Sequence, residues 1–132
     1  MYSVDVDDSK VITVSGGRHR VSYAVDGSLM NPLEAFYAVL ASCAAVYAKK
    51  ECQSMGIPAA GIRIGCKPFA GHGGPLSLSR FRTEVSFPEN FSAEQRERVL
   101  QAISECAVKK IVQAGAEVAF SVSETAATAA AA

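Results

Sequence analysis

The chain has 132 residues, and its 13 basic and 13 acidic side chains cancel. A chain of this length folds as one domain that buries an ordinary core without disulfides or metals. The balanced charge excludes a general attraction to nucleic acid or to an anionic membrane, and we expect neither partner. The segment MYSVDVDDSK lacks the features of a secretory signal, so we expect a cytoplasmic protein with four reduced cysteines.

Strands are predicted at the beginning of the chain. Residues 11–14 and 18–25 are rich in β-branched side chains and flank the turn Ser15-Gly16-Gly17. These two segments are expected to pair as a hairpin.

A long helix follows, and its boundaries are readable. Asn31 is a suitable N-cap, Pro32 suits the first helical position, and Glu34 can complete a capping box. Gly56 supplies the left-handed stop. The sequence therefore predicts a helix over residues 31–55. Its expected buried stripe comprises Phe36, Leu40, Cys43 and Tyr47.

A second hairpin and a second helix are predicted next. Residues 62–67 and 80–87 alternate apolar and polar side chains, with cations on the outer face at Arg63, Lys67, Arg80 and Arg82. The second helix begins near Ser92, with Gln95 as capping partner. Its expected apolar stripe comprises Val99, Ala102, Ile103 and Cys106.

The chain ends with a predicted strand at residues 116–123 and a low-complexity alanine-rich tail at residues 124–132. The order of strands, long helix, hairpin, helix and strand predicts an α+β fold, with helices packed on a mostly antiparallel sheet. We expect one domain over residues 1–123.

Two cysteines stand out because each lies on the apolar stripe of a separate helix. If both helices pack on one sheet, Cys43 and Cys106 can come close and act as a redox couple. The alternative is that Cys43 is a small apolar side chain in a packed helix. Cys66 is expected to pack beside its strand neighbours, and Cys52 to lie on the opposite side of the helix from Cys43. Neither is expected to be catalytic.

Other kinds of site have little support. His19 and His72 are far apart, and no two cysteines have the spacing of a zinc site, so we expect neither a metal nor another cofactor. The loop over residues 71–74 matches the GXXG pattern of KH domains, but it joins two strands rather than two helices. A glycine-rich hairpin turn explains it, and nucleic-acid binding is not expected.

The segment from Asn31 to Cys43, N-P-x-E-x-x-x-A-x-x-A-x-C, resembles the central-helix motif of the OsmC/Ohr family of osmotically induced and organic hydroperoxide resistance proteins. The stretch FSAEQRERVLQAISECAVKK is similar to that family's later helix, which carries its second cysteine. The resemblance spans residues 31–123. It implies the OsmC-like fold and an intertwined homodimer with the thiols near the subunit interface.

The resemblance also implies an activity. It points to a cysteine-based thiol peroxidase that reduces organic hydroperoxides or hydrogen peroxide in oxidative stress defence. Cys43 would attack the peroxide, Cys106 would resolve it as a disulfide, and an external dithiol would recycle the pair. In this family an early-strand arginine, held by a glutamate, assists the first cysteine. Arg18 is the first candidate for this arginine and Arg20 the second, and Glu34 is the candidate for the glutamate. The alternative is that the two arginines are ordinary solvated side chains and that Glu34 only completes the capping box.

Three departures from the peroxidase pattern leave a second function open. Leu33 follows Pro32 where organic hydroperoxide enzymes have the glutamate, Ala107 follows Cys106 where proline is usual, and the connection over residues 25–31 is short. The second function is a dimeric binding or accessory protein for a small apolar or sulfur-containing ligand. An arginine beside Cys43 would favour the enzyme, and an apolar enclosure without a cation would favour the binding protein.

Overall fold

In the computed structural model, two antiparallel sheets and three helices account for the regular structure of residues 1–123, which are described here except for the side chains of residues 74–78. The first sheet contains strands β1 (Ser3–Val4), β2 (Val11–Gly16) and β3 (His19–Ala24) in that order. The second sheet is a hairpin of β4 (Arg63–Gly71) and β5 (Gly74–Ser86). The predicted α+β class with antiparallel pairing is confirmed.

The long helix α1 (Pro32–Met55) begins and ends as its sequence predicts. The Asn31 side chain accepts from the Glu34 N–H at 2.8 Å, and the Glu34 carboxylate accepts from the Asn31 N–H at 3.0 Å. Gly56 ends the helix with a positive φ of 68°, a conformation that glycine adopts without strain. The capping box fixes where α1 begins, and therefore which of its side chains meet the second sheet.

The buried face of α1 differs from the predicted stripe. The side chains that reach the core are small or slender and follow a spacing of four: Leu40, Ala44, Ala48 and Cys52. Phe36 is 37% exposed, and Cys43 is only half-buried. Cys52, which is predicted to lie on the side of the helix opposite Cys43, is 1% exposed and belongs to the core, so the more deeply buried side of α1 is the one that carries Cys52 and not the one that carries Cys43. Small side chains allow the helix to lie close to its neighbours, and residue size therefore decides which face is buried.

The core lies between α1, the second sheet and helix α2 (Ala93–Ser104). Val99 and Ile103 of α2 meet the small face of α1, while Phe91 precedes the helix and closes one end of the core. Ser92 caps α2 through the predicted capping box with Gln95. This packing holds α2 against α1, and the helix that follows α2 also contacts α1.

The predicted second helix is in fact two helices. Helix α2 ends at Ser104, and helix α3 (Ala107–Ala114) begins directly after Cys106, which is the N-cap residue of α3. Cys106 has an extended backbone, with φ −53° and ψ 123°, and its side chain is 2% exposed. The break matters because it points the first N–H groups of α3 toward the neighbourhood of Cys106.

The predicted strand at residues 116–123 does not form in the single chain. After Gly115 these residues have no regular structure, and Phe120 is 95% exposed. An alternating apolar segment forms a strand only where a sheet edge accepts it. The predicted alanine-rich tail lies outside the described residues.

The β4–β5 hairpin has the predicted two faces. Cys66 lies opposite Thr83 and Ile64 opposite Val85, and these pairs face the helices. Arg63, Lys67, Arg80 and Arg82 are exposed on the outer face. The hairpin therefore presents an apolar surface to α1 and a basic surface to solvent, and it forms one wall of the cavity described below.

Candidate functional site

The structure brings Cys43 and Cys106 together. Cys43 lies in the middle of α1, and Cys106 lies in the link between α2 and α3, where its thiol hydrogen-bonds with Cys43. Both are free thiols. Hydrogen-bonded sulfur atoms can form a disulfide after a small local movement. The fold therefore places two cysteines that are far apart in the sequence within hydrogen-bond reach of each other.

The surroundings of Cys43 favour its thiolate. Burial is the largest single influence and by itself raises its pKa, but the hydrogen bond from Cys106 and the backbone N–H groups of Val108 and Ala107 lower it. The charge of Lys50, two turns further along α1, adds to these effects. The net result is a Cys43 pKa below that of an ordinary cysteine.

Cys106 has the opposite tendency. Burial raises its pKa, and the neighbouring Cys43 sulfur raises it further because Cys106 supplies the shared hydrogen. The backbone N–H groups of Lys109 and Val108 act in the opposite direction, but the net result is a Cys106 pKa above that of an ordinary cysteine. Cys43 is thus the thiol that ionises first, and Cys106 stays protonated as the donor.

Other cysteines have no such environment. Burial raises the pKa of Cys52, with a further contribution from the Glu51 charge, and burial also raises the pKa of Cys66. Cys52 lies in the apolar core, and Cys66 packs on the inner face of the second hairpin. Their thiolates are disfavoured, so the reactive pair is Cys43 with Cys106.

The predicted arginine and glutamate lie elsewhere on the single chain. Arg18 is in the turn between β2 and β3, and Arg20 is the second residue of β3; both are exposed. Among the described residues, the groups that lower the Cys43 pKa do not include either arginine. Glu34 is engaged in the capping box with Asn31. The roles of Arg18, Arg20 and Glu34 at the thiols therefore stay predictions.

Three groups that lower the Cys43 pKa were not predicted from the sequence. The N–H groups of Ala107 and Val108 act on Cys43 because the chain starts a new helix at that point. The sequence feature that indicates this is Ala107 itself, which keeps a backbone N–H that a proline at the same position would lack. Lys50 follows Cys43 by seven residues, which places both on one face of α1, and that spacing was also readable.

A cavity of about 360 Å³ opens beside Cys106. Most of its wall is apolar and comes from α1, β5 and α2: Leu40, Ala44, Phe81, Val85, Leu100 and Ile103. Its polar side chains include Thr83, Ser104, Lys109 and Gln113. Such a cavity suits a small molecule with an apolar body.

Metal ligation has no site in the described part of the chain, where no group of three histidine, cysteine or acidic side chains could hold an ion. Among the same residues, no helix is long and apolar enough to cross a membrane.

The fold and the thiol pair define a small α+β protein with a long central helix and a paired-cysteine site. A sequence model of the family OsmC, described as "OsmC-like protein", matches residues 25–121. The chain belongs to this family. No curated protein matches it.

Solved structures share the fold, and two of them are described here by their likeness to this chain. An osmotic stress induced and detoxification response protein from Psychrobacter arcticus 273-4 has a TM-score of 0.70 at 14% identity, covering 83% of this chain and 85% of its own. An OsmC-like protein from Mycoplasma pneumoniae has a TM-score of 0.71 at 12% identity, covering 87% of each chain. At such identities the likeness establishes the OsmC-like fold.

Proposed function

We propose that this protein is a cysteine-based peroxidase that reduces organic hydroperoxides or hydrogen peroxide in oxidative stress defence. The observation that carries the proposal is the contact between Cys43 and Cys106, in which the first has a lowered pKa and the second a raised pKa. Only a thiolate attacks an O–O bond, and only a nearby second thiol converts the product to a disulfide.

The chemistry proceeds in two steps at the pair. The Cys43 thiolate attacks the terminal oxygen of ROOH, the O–O bond breaks, and the departing alkoxide takes a proton to become ROH. Cys43 is then a sulfenic acid. The Cys106 sulfur attacks the Cys43 sulfur, the S–O bond breaks, and water leaves with the Cys106 proton. The sum is ROOH plus two thiols giving ROH, water and one disulfide, which an external dithiol reduces.

The cavity supports organic hydroperoxides as the preferred substrates. Its wall beside Cys106 is mostly apolar, and Leu40 and Ala44 of that wall lie on α1 close in sequence to Cys43. Burial of an alkyl group stabilises binding by roughly 0.8 kcal/mol per methylene. Hydrogen peroxide has no alkyl group to bury, so we expect it to react less efficiently than an alkyl hydroperoxide.

We also propose a homodimer, cytoplasmic in location, as the working form. Apolar side chains of the single chain stay exposed on one face of α1, at Phe36, Val39 and Val46, and in the segment after α3, at Val118, Phe120 and Val122. An exposed apolar area of this kind is typical of a surface that another chain covers. The proposal that Arg18 and Glu34 act at the thiols is supported by the family resemblance alone.

A second candidate is a binding or accessory protein for a small apolar or sulfur-containing ligand. The cavity of about 360 Å³ favours it, because the cavity is large enough for a small ligand whether or not the thiols react. The cationic and N–H environment of Cys43 favours the enzyme instead.

Single-turnover kinetics distinguish the peroxidase from the binding protein. The reduced protein is mixed with cumene hydroperoxide, and both the peroxide consumed and the thiols lost are measured. If the protein is a peroxidase, the wild type consumes one peroxide for every two thiols lost. Cys106→Ser consumes one peroxide per chain and stops at a Cys43 sulfenic acid, which dimedone traps. Cys43→Ser reacts with the peroxide no faster than free cysteine does. A wild-type rate equal to that of free cysteine would reject the peroxidase and leave the binding protein.

A further inference from the structure

The outer face of the β4–β5 hairpin is positively charged, although the charge of the whole chain is zero. Arg63 and Lys67 on β4 and Arg80 and Arg82 on β5 are exposed on it. Glu84 is the one acidic residue in the sequence of the hairpin. Four cations and one carboxylate give this face a net charge of +3. A partner meets this local charge, so the total charge does not describe what the face attracts.

Two of these cations are directly opposed. Lys67 lies opposite Arg82 in the register of the hairpin. Side chains in this position have Cβ atoms about 5 Å apart, and like charges there destabilise a sheet. Among the described residues, no carboxylate forms an ion pair with any cation of the outer face. The arrangement does not stabilise the hairpin, and it suits an anion that binds from outside.

An aromatic ring lies among the cations. Phe69 is opposite Arg80 in the register and is half-buried. The guanidinium carbon of Arg80 is 4.8 Å from the centre of the ring, and the Nζ of Lys67 is 5.7 Å from it. Planar bases stack on aromatic rings and on guanidinium planes. This part of the face can therefore hold a planar ring beside an anion.

A polar hollow lies further along the same face. Gly65 has no side chain, and a Cβ added there would meet no atom within 4 Å. The hollow has a volume of about 450 Å³, and its wall includes Arg63, Glu84 and Ser86. It suits a planar polar group better than an alkyl chain. The Glu84 carboxylate can accept from an amino group, as acidic side chains accept from the amino group of cytosine.

We propose that the outer face of the hairpin binds single-stranded nucleic acid. The phosphates lie on Lys67, Arg80 and Arg82. The bases stack on Phe69 and enter the hollow at Gly65. A single strand is the suitable form because its bases are free to stack, whereas those of a duplex are already paired.

Other anionic partners fit the face less well. An anionic membrane would leave the polar hollow unfilled, and an acidic peptide lacks the planar amino-bearing rings for which Glu84 is an acceptor. The face points away from α1, and the proposed dimer leaves it free because that dimer uses α1 and the segment after α3. The proposal is independent of the peroxide chemistry.

The test is fluorescence anisotropy with the full chain and labelled oligodeoxycytidine or oligodeoxythymidine of about 12 nucleotides, within the range of lengths that one small domain binds. We expect a dissociation constant between about 1 and 100 µM at low salt. The logarithm of the association constant should fall with the logarithm of salt concentration with a slope of about −2 to −3, since each of four cations contributes about −0.7.

Two double variants test the cations. Arg80→Gln with Arg82→Gln should weaken binding by about tenfold and reduce the steepness of the slope by about half, because two of the four phosphate contacts are lost. The matched control, Lys10→Gln with Lys49→Gln, removes two exposed charges elsewhere and should change the affinity by less than about twofold. Thermal denaturation shows that each variant is folded. Loss of Arg82 also removes the opposed charge, so we expect no loss of stability.

Two single variants test the recognition of bases, and they keep the test decisive if the arginine variant does not fold. Phe69→Leu keeps every charge and should weaken binding by about fivefold or more through lost stacking. The wild type should prefer oligodeoxycytidine, because thymine has no amino group for Glu84. Glu84→Val should remove this preference while binding both strands.

Absence of binding at low salt would overturn the proposal, and so would an affinity that the arginine double variant retains. Polyglutamate that competes as well as the unlabelled oligonucleotide would show an acidic peptide site instead. Binding to phosphatidylserine vesicles without binding to either oligonucleotide would show a membrane site, and both results would also overturn the proposal.

Discussion

Cys106 donates its thiol hydrogen to Cys43, and this contact divides the roles of the two residues. The acceptor is half-buried on α1, and the donor is buried at the start of α3. Because the hydrogen stabilises the charge on one sulfur and is retained by the other, the pKa of Cys43 falls while that of Cys106 rises. The following predictions depend on this division.

The pH dependence of thiol modification should differ between the two cysteines. The Cys43 thiolate should form at a lower pH than the thiolate of an ordinary cysteine, whereas the Cys106 thiolate should form only at a higher pH, because the pKa of Cys43 is lowered and that of Cys106 is raised. Alkylation with iodoacetamide, followed by peptide mapping, measures both titrations. Cys106→Ala removes the donor, so the Cys43 midpoint should move upward. A common midpoint for the two thiols would contradict the division of roles.

Ala107→Pro should slow the reaction of Cys43 without unfolding the protein. Ala107 is the first residue of α3, where proline is tolerated, and the extended backbone of Cys106 suits a following proline. The substitution removes an N–H that stabilises the Cys43 thiolate, so the Cys43 pKa rises and reactivity at pH 7 falls by about three- to tenfold. Ala107→Gly, which keeps the N–H, is the matched control. Equal rates in the two variants would show that this N–H has no role.

Lys50→Gln should raise the Cys43 pKa by a smaller amount than Ala107→Pro does. Its charge lies about two helical turns from Cys43 and is exposed to solvent, so we expect about a twofold loss of reactivity at low salt and less at high salt. Lys49→Gln, the neighbouring exposed lysine, is the control and should change little. A loss that is independent of salt, or that occurs equally in the control, would argue against an electrostatic origin.

The core should be sensitive at Val99, which is 0% exposed and packs in the cluster between α1 and α2. Val99→Ala removes two buried methyl groups and leaves a cavity, so the free energy of unfolding should fall by about 2 kcal/mol. Urea denaturation with an unchanged slope measures the effect. The control Val6→Ala, at a 92% exposed position, should change the free energy of unfolding by less than about 0.5 kcal/mol.

The dimer proposal predicts that the protein sediments as a dimer and that Phe120→Asp weakens it. Phe120 is exposed in the single chain, so a change there affects the association without disturbing the core described above. Sedimentation velocity over a range of protein concentrations measures the effect. Glu117→Gln, a polar change in the same exposed segment, is the control. A wild-type monomer at all concentrations would contradict the proposal.

The sequence predicted the helices and strands well where local chemistry decides them. The caps at Asn31 and Ser92 have side chains that hydrogen-bond within three residues, so they act before any tertiary contact forms. The hairpin of β4 and β5 followed from strict alternation, which fixes the face of every side chain. The fold class followed from the order of these elements.

Tertiary packing decided the rest. The break between α2 and α3 has no proline or glycine to mark it, and the apolar spacing continues through Cys106. The choice of Ala44 and Cys52 over Phe36 for the buried face of α1 depends on how close the neighbouring elements lie. The alternation at residues 116–123 predicts a strand that the structure does not contain, because a strand also needs a sheet edge to pair with, and a sequence pattern does not show whether one is available.

The pairing of Cys43 with Cys106 could be suggested from the sequence, because each cysteine falls on the apolar spacing of a predicted helix. The environment that distinguishes them could not, since it depends on backbone N–H groups that become available only when α3 begins at Ala107. A sequence shows where a side chain lies along a helix, but not which main-chain donors another segment brings to it.

Mass spectrometry of the reduced protein after one equivalent of an organic hydroperoxide, with peptide mapping of all four cysteines, tests the central claim most directly. The account predicts rapid formation of a Cys43–Cys106 disulfide, absent in Cys43→Ser, while Cys52 and Cys66 stay reduced. Slow oxidation spread over the four thiols would contradict the claim that these two residues form a redox couple.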